Sequence, residues 1–316
     1  MNVMHIPISL AFFGSSENSL IILKALKSAG FKLKLVVTAP PRPIGRKQIL
    51  TKTPPHTYAE NGKLPILFPE KLDDNFLKDM KKSLLDVAVV ADYARLIPNQ
   101  VLEYPAHGCL NLHPSLLPKY RGSTPGEMAI LHGEKETGMT IIKMDEKFDH
   151  GPIISQFKEE IKATDTSETL YSRLFSKGAE VLVTLLPAWV EGRIAPRQQD
   201  HSQATLAPRL SRDDGFIPWE LLKKALRNEN VPIENRPNKW KMADGKWPIV
   251  VGRASRALFP WPGVWTIVKV KNEEKRMKIL SAHLEANRLI LNKVQIEGKT
   301  SDLWNNVSNL LLNPRQ

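Results

Sequence analysis

Apolar and polar positions alternate with two different periods along the first half of the chain. Short apolar runs, several of them rich in β-branched residues, predict buried strands. These runs lie at residues 8–13, 33–37, 87–90, 109–113 and 139–144. After the first run, Leu20, Leu23 and Leu26 repeat at helical spacing, and Ser15 or Ser16 precedes them as a helix cap. Strands that alternate with helices indicate an α/β fold with a doubly wound, mostly parallel sheet.

The pattern changes in the second half of the chain. Residues 166–190 are amphipathic and predict a long helix, and the polar, proline-containing residues 194–208 predict a linker. Further apolar runs then predict the strands of a small β-barrel. These runs lie at residues 264–269, 276–282, 288–291 and 293–297. We therefore expect a first domain over residues 1–193 and a second over residues 209–316.

The charge of the chain is concentrated in its last third. The formal net charge is +12 at pH 7, and residues 207–316, with 20 Lys and Arg against 11 Asp and Glu, carry +9 of it. Such asymmetry suggests a polyanionic partner, for which nucleic acid is the usual candidate. A lysine-rich surface that only contacts solvent explains the charge about equally well.

Composition argues against several classes of protein. Cys109 is the only cysteine, which excludes an intrachain disulfide and a cysteine-based metal site and fits a reducing, cytoplasmic setting. No stretch approaches the roughly 18 to 20 apolar residues that cross a bilayer, so we expect no membrane partner. The apolar start of the chain also lacks the cations and cleavage site of a signal peptide. The turn after the first strand lacks the spaced glycines of a dinucleotide loop, and the histidines lack metal-ligand spacing.

The densest group of polar residues with catalytic potential follows the apolar run at 109–113. Asn111 and His113 are two positions apart, so on a strand they face the same side near its carboxyl end, where ligands bind on doubly wound sheets. Asp149 follows the run at 139–144, and its carboxylate is within reach of His113 in such a fold. Spacing alone also allows a non-catalytic interpretation, in which Asn111 and His113 are structural and Asp149 forms a turn before Gly151.

These residues belong to longer motifs that resemble a known family. The motifs are Asn111-Leu112-His113, Ser115-Leu116-Leu117-Pro118, Arg121-Gly122, and Asp149 with Gly151-Pro152. Together they are similar to the active-site signature of the formyltransferases that use 10-formyltetrahydrofolate. Two further segments, Arg42–Lys47 and Phe259–Gly263, resemble the branch of this family that formylates methionyl-tRNA. Relative to that branch, residues 228–252 look like an insertion, and Asn18 stands where a Phe near the methionine side chain is usual.

The resemblance implies a role for each motif residue. His113 would act as base and acid, Asn111 would donate to the developing oxyanion, and Asp149 would orient His113. The implied folate- and substrate-binding residues are Tyr93, Pro98, Ser115, Leu116, Leu117, Pro118 and Gly151. The implied tRNA-binding residues are Arg42, Arg46 and Lys47. The second domain would be an OB-like barrel that binds tRNA.

The implied function is transfer of the formyl group of 10-formyltetrahydrofolate to the α-amine of initiator methionyl-tRNA, by a cytoplasmic monomer that needs no metal. A sugar-nucleotide N-formyltransferase and a formyltetrahydrofolate hydrolase would share the same catalytic set, but neither explains the basic last third of the chain. An RNA-binding protein on a decayed formyltransferase scaffold is a non-enzymatic alternative. The intact set of Asn111, His113 and Asp149 argues against decay.

Overall fold

The computed structural model describes residues 8–45, 47–93, 95–241 and 245–312. Its strands are β1 (Ser9–Phe13), β2 (Lys32–Val37), β3 (Arg42–Ile44), β4 (Ile49–Thr51), β5 (Ile66–Leu67), β6 (Val87–Ala91), β7 (Cys109–His113), β8 (Arg121–Gly122), β9 (Glu136–Lys143), β10 (Ile153–Glu160), β11 (Leu206–Ala207), β12 (Val264–Val270), β13 (Glu273–Glu285), β14 (Arg288–Ile296) and β15 (Asp302–Leu303). Its α-helices are α1 (Glu17–Ser28), α2 (Pro54–Asn61), α3 (Asp74–Met80), α4 (Asn99–Leu102), α5 (Pro125–His132), α6 (Ser167–Val190), α7 (Trp219–Leu226), α8 (Trp247–Ala257) and α9 (Trp304–Leu312).

The largest sheet among the described residues has the strand order β10-β9-β7-β6-β1-β2-β5. The strands from β7 to β5 in this order run parallel, whereas β9 is antiparallel to β7. The central strand β6 has the sequence VAVVA and is buried at every position, as expected for a strand covered on both faces. The predicted doubly wound, mostly parallel sheet is confirmed.

Local sequence explains where the first helices begin. Ser16 caps α1, because its hydroxyl accepts the backbone N–H of Ser19 at 3.1 Å while the Ser19 hydroxyl accepts the N–H of Ser16 at 2.9 Å. Thr53 caps α2 with a single bond, in which its hydroxyl accepts the N–H of His56 at 3.1 Å, and prolines occupy the first turn. The long helix predicted at 166–190 is α6, which starts one residue later.

The carboxyl-terminal part contains an antiparallel sheet with the strand order β12-β13-β14-β15. One detail of the prediction was wrong, because the strands expected at 288–291 and 293–297 form the single strand β14. The polar Asn292 interrupts the apolar pattern, but the strand continues through it. Its Oδ1 lies 2.8 Å from Nδ1 of His283 on β13, so the side chain is satisfied across the ladder.

The predicted insertion at 228–252 contributes to a buried core. The side chains of Trp240 and Trp247 are fully buried, and their ring centroids are 5.9 Å apart. Both indole N–H groups donate to backbone carbonyls, at 2.9 Å to Asp214 and 2.8 Å to Leu221. Trp247 also begins α8, a helix that the sequence pattern did not predict. Within its described residues the segment is therefore packed structure, and its status as an insertion stays a prediction.

The chain divides into two compact units. The first consists of Met1–Gly122, Gly138–Glu159 and Tyr171–Leu206, and the second consists of Ser123–Thr137, Glu160–Leu170 and Ala207–Gln316. The functional boundaries expected from sequence, at 193 and 209, stay predictions. No helix in the described part of the chain is long and apolar enough to span a membrane.

Candidate active site

The candidate site lies in the first unit, at the carboxyl end of β7. This strand pairs with β6 on one side and β9 on the other, so its last residues lie inside the sheet. His113 is 4% exposed and Asn111 is half-buried. Cys109, at the other end of β7, is buried, and burial raises the pKa of its thiol to about 12. The thiol is therefore protonated at neutral pH and is no nucleophile.

The three predicted catalytic side chains meet at one atom. Nδ2 of Asn111 and Nδ1 of His113 each lie 3.4 Å from Oδ1 of Asp149. The other carboxylate oxygen, Oδ2, accepts the backbone N–H of Gly122 at 2.8 Å. Asp149 thus has one oxygen anchored by the backbone, while the second faces the amide and the imidazole.

The hydrogen bonds of His113 define its tautomer. Nε2 lies 2.9 Å from the carbonyl oxygen of Tyr120. A carbonyl can only accept, so Nε2 carries a hydrogen and donates it. In the neutral ring the lone pair is therefore on Nδ1, the nitrogen that faces Asp149. This arrangement leaves Nδ1 as the atom that can take up a proton.

Unusual backbone conformations accompany this arrangement. Asp149 and Tyr120 have positive φ angles of 50° and 60°, a region that non-glycine residues seldom adopt. Gly151 follows Asp149, and a Cβ at that position would lie 1.9 Å from the carbonyl oxygen of Lys143. The close approach of this loop to the end of β9 therefore needs glycine at 151.

The predicted residues of the loop after β7 divide into two groups. Ser115 is fully buried and donates its hydroxyl to the carbonyl of Lys119 at 2.7 Å, and Leu117 is 3% exposed. Leu116 and Pro118 are half-buried and present part of their surface to solvent. The buried members shape the loop from within, whereas the half-buried members are accessible to a ligand.

Tyr93 and Pro98 lie in the segment between β6 and α4. Tyr93 is 8% exposed and packs edge-on against Phe13, with ring centroids 5.5 Å apart. Burial raises the pKa of Tyr93, and the nearby Arg95 opposes this effect. Pro98 is exposed and precedes the first residue of α4. Tyr93 is therefore part of the core beneath this segment, and Pro98 is on its surface.

A cavity of about 560 Å³ opens beside the loop that carries Asp149. It lies between α4 and the residues that follow β9. Residues that line it include Asn99, Leu102, Lys143, Met144, Glu146 and His150. Since His150 is the neighbour of Asp149, the cavity extends to the edge of the candidate site.

The basic loop predicted to bind tRNA includes a small hairpin of β3 and β4. Arg42 and Lys47 are exposed, as are Ile44, Ile49 and Leu50, which are 60%, 61% and 67% exposed. Arg46, the third predicted tRNA-binding residue, lies outside the described residues. The sequence indicated the charge of this hairpin but not its exposed aliphatic surface.

Two polar residues that support the site, Thr140 and Gln199, were not predicted from the sequence. Thr140 is fully buried on β9, where its hydroxyl donates to the carbonyl of Ser115 at 2.6 Å and accepts the N–H of Leu117 at 3.1 Å. A polar residue between the apolar Met139 and Ile141 was the signal for it. Gln199 donates to the backbone of the Asp149 loop from within the predicted linker, where no local signal marked it. The described residues contain no group of three or more His, Cys, Asp and Glu that could hold a metal ion.

Comparisons with known proteins agree with the motifs. The Formyl transferase family model matches residues 8–186. The chain is 36% identical over 252 residues to a methionyl-tRNA formyltransferase from Halalkalibacterium halodurans, and the alignment covers 79% of each chain.

Two solved structures share the fold. A methionyl-tRNA formyltransferase from Clostridium thermocellum aligns with a TM-score of 0.53 and 16% identity, over 92% of this chain and 98% of that one. An N-formyltransferase from Helicobacter canadensis, in complex with folinic acid and dTDP-3-aminofucose, aligns with a TM-score of 0.59 and 19% identity over 88% of each chain. At these identities the similarity establishes the fold alone.

Proposed function

This chain belongs to the formyl transferase family, and from that premise we propose that it transfers the formyl group of 10-formyltetrahydrofolate to the α-amine of methionyl initiator tRNA. The observation that carries the proposal is the convergence of Asn111 and His113 on Oδ1 of Asp149. An amide donor, an imidazole and a carboxylate around one point are the groups that acyl transfer needs. The choice of acceptor is supported by the names of relatives such as the Halalkalibacterium halodurans protein.

The reaction forms one carbon–nitrogen bond and breaks another. The unprotonated α-amine attacks the formyl carbon, and the carbonyl electron pair moves to the formyl oxygen. Nδ2 of Asn111 donates a hydrogen bond to this oxygen, a contribution on the order of 3 kcal/mol. When the tetrahedral intermediate collapses, the bond from the formyl carbon to folate N10 breaks, and N10 takes up a proton.

His113 carries the proton between the two nitrogens. Because Nε2 donates to Tyr120, Nδ1 has the lone pair that accepts the proton of the attacking amine. The imidazolium formed in this step is paired with Asp149, whose Oδ1 is 3.4 Å from Nδ1. The same proton is then donated to N10. Proton transfer of this kind typically accelerates a reaction by about 10²–10⁴.

We place part of the folate in the cavity beside α4. Its volume of about 560 Å³ is within the range of roughly 300–1,000 Å³ that is usual for small-molecule sites. A folate ring held there would direct its formyl group towards Asp149, since His150 belongs to the cavity wall. In this proposal Pro98, Leu116 and Pro118 contact the part of the ligand that lies outside this cavity. The buried residues support the surrounding segments from within, and these are Tyr93, Ser115, Leu117 and Gly151.

We place the tRNA contact of the first unit on the β3–β4 hairpin. Arg42 and Lys47 are exposed there and can neutralise phosphates, which is the main source of affinity for nucleic acid. The +9 charge of residues 207–316 supports a second, more extended contact in the last third of the chain. A free nucleotide needs no such extended cationic surface.

An acceptor assay tests the proposal. The full-length protein is incubated with 10-formyltetrahydrofolate and, in separate reactions, methionyl initiator tRNA, methionyl elongator tRNA, an amino-sugar nucleotide or buffer alone. Products are identified by mass. The proposal predicts fast formylation of the methionyl group on initiator tRNA and little turnover in the other reactions.

The rival functions are outcomes of the same assay. A formylated sugar nucleotide with unmodified tRNA would identify a sugar N-formyltransferase, and release of formate in buffer alone would identify a hydrolase. Binding of tRNA without any turnover of formyl-folate would identify a non-catalytic RNA-binding protein. Any of these three results would overturn the proposal.

A further inference from the structure

We propose that Gln199 is a positioning residue that holds Asp149 in its working place against Asn111 and His113. This inference rests on the proposed function, because it takes Asp149 to be part of the catalytic set. Gln199 belongs to residues 197–205, a segment that we call the clasp. The sequence pattern predicted a linker here, yet hydrogen bonds connect the segment to the loop of Asp149 and to the backbone beside His113.

Both polar atoms of the Gln199 side-chain amide are hydrogen-bonded. The side chain is buried, with the residue 6% exposed, and Nε2 donates to the carbonyl of Asp149 at 2.9 Å and to the carbonyl of Gly151 at 2.8 Å. Oε1 accepts from the guanidinium of Arg121 at 2.6 Å. Since a guanidinium can only donate, this bond fixes the orientation of the amide and directs both of its N–H bonds at the Asp149 loop.

The geometry of Asp149 explains why such a restraint is needed. Its φ of 50° lies in a region that is unfavourable for a residue with a Cβ, so the surroundings must hold it there. Gln199 bonds the carbonyl of Asp149 itself and that of Gly151, two residues later. The backbone is therefore held on both sides of His150, directly after Asp149, and this restrains the direction of the Asp149 carboxylate.

The clasp also reaches the histidine side of the site. The hydroxyl oxygen of Thr205 accepts the backbone N–H of Tyr120 at 2.9 Å. The carbonyl of Tyr120 in turn accepts the Nε2–H of His113. One segment of chain therefore supports the carboxylate through Gln199 and the imidazole through Thr205.

The guanidinium that orients Gln199 is held by the clasp as well. Arg121 donates to Nδ1 of His201 at 2.8 Å, and the His201 ring stacks on that of His150 at 4.0 Å between centroids. At the start of the clasp, Arg197 and Ile153 exchange both backbone hydrogen bonds, at 2.7 and 2.8 Å. Gln199 is thus the buried centre of a segment that is fixed on either side of it.

The test compares two glutamines of the clasp. Gln199→Leu keeps the approximate shape of the side chain and removes its donors and acceptor, whereas Gln203→Leu is the matched control because Gln203 is exposed. In steady-state formylation assays, Gln199→Leu should lower kcat about 10²-fold, the order of loss that follows a misplacement of about 1 Å. The KM for formyl-folate and for tRNA should stay within about twofold, since no substrate contact is removed. Gln203→Leu should match the wild type.

A second readout does not depend on activity. The ¹⁵N resonances of the His113 ring, assigned by their loss in His113→Gln, report which nitrogen is protonated and how Nδ1 is paired. Gln199→Leu should shift the Nδ1 resonance, and Gln203→Leu should not. Thr205→Val, which removes the acceptor for Tyr120, should change the Nε2 resonance and remains informative if Gln199→Leu fails to fold.

The two readouts separate this inference from the proposed function. If the wild type formylates methionyl-tRNA but a folded Gln199→Leu keeps its kcat and its His113 resonances, the positioning role is wrong and the proposed function stands. If the wild type formylates no acceptor, the proposed function is wrong, and unchanged His113 resonances in Gln199→Leu would then overturn the positioning role as well.

Discussion

The site around Asp149 and the β3–β4 hairpin hold their side chains in opposite ways. Around Asp149, the side chain of Gln199 is buried and bonded at both polar atoms of its amide. The ring of His113 is also buried, with Nε2 bonded to a backbone carbonyl and Nδ1 facing the carboxylate. On the hairpin, Arg42 and Ile44 are exposed along a short ladder of backbone pairs. The difference teaches which function each can serve, because chemistry needs fixed groups and contact with a large partner needs accessible ones. Substitutions in the two regions should therefore affect different kinetic constants.

The largest effects are expected at the carboxylate and at the imidazole through which it acts. Asp149→Asn keeps the shape but removes the charge beside His113, so kcat should fall about 10⁴-fold, as in other sites where a carboxylate orients and pairs with an imidazole. The KM for tRNA should change little. Single-turnover formylation measures the effect, with Asp79→Asn as a control on an exposed carboxylate that pairs with Lys82. A loss of less than tenfold would mean that Asp149 is not part of the catalytic set.

Removal of the imidazole should have an effect at least as large, because the carboxylate acts through it. His113→Ala should reduce formylation by at least about two orders of magnitude, because both proton transfers depend on Nδ1. Circular dichroism confirms that the fold is intact, and His107→Ala serves as the control. A folded His113→Ala variant with full activity would end the assignment of His113 as base and acid.

A substitution on the β3–β4 hairpin should weaken tRNA binding and leave the rate of formyl transfer unchanged. Arg42→Ala should raise the KM for tRNA and leave single-turnover rates at saturation unchanged. The slope of log affinity against log salt should decrease by about 1, the amount expected for one phosphate contact. Arg193→Ala, at another exposed arginine of the first unit, is the control. An unchanged slope would show that Arg42 does not contact phosphate.

The smallest effect is expected on the pH dependence of stability, at His56 in the first turn of α2. Burial lowers the pKa of His56, nearby Lys52 lowers it further, and Glu60 opposes both. The unfolded chain therefore binds a proton more readily than the folded one as pH falls below about 6.5, and stability decreases towards acid. One such group accounts for at most about 1.4 kcal/mol per pH unit.

Replacement of His56 tests this contribution. His56→Phe should keep the stack on Phe68, whose ring is 4.9 Å away, and reduce the loss of unfolding free energy between about pH 7 and pH 5.5. Urea unfolding at several pH values measures it, with His283→Gln as a control at an exposed histidine. An identical pH dependence in His56→Phe and wild type would contradict the prediction.

The sequence predicted those elements that are determined by the hydrophobic pattern of their own residues. The apolar run at 109–113 coincides with β7, because a buried strand is defined by its own residues. The pattern failed where a partner elsewhere satisfies a polar residue, as when Asn292 pairs with His283 and β14 continues through it. It also failed for α8, whose buried Trp247 is fixed by a contact with Leu221, 26 residues away.

The candidate site shows the same division between local patterns, which could be predicted, and long-range contacts, which could not. Strand position and the family resemblance together indicated Asn111, His113 and Asp149, and the structure brings these three together. No pattern in the sequence indicated Gln199, which is 50 residues from Asp149 along the chain and lies in a polar stretch typical of a linker. A supporting residue of this kind is defined by the fold around it and becomes visible only in three dimensions.

A double-mutant cycle on Asp149 and His113 tests most directly whether the side chains around Oδ1 act as one unit. Single-turnover formylation of methionyl initiator tRNA is measured for Asp149→Asn, His113→Ala and the double variant. If the carboxylate works through the imidazole, the double variant should be about as slow as the slower single variant. If the two losses multiply instead, each residue contributes independently, and the account of a shared catalytic unit is wrong.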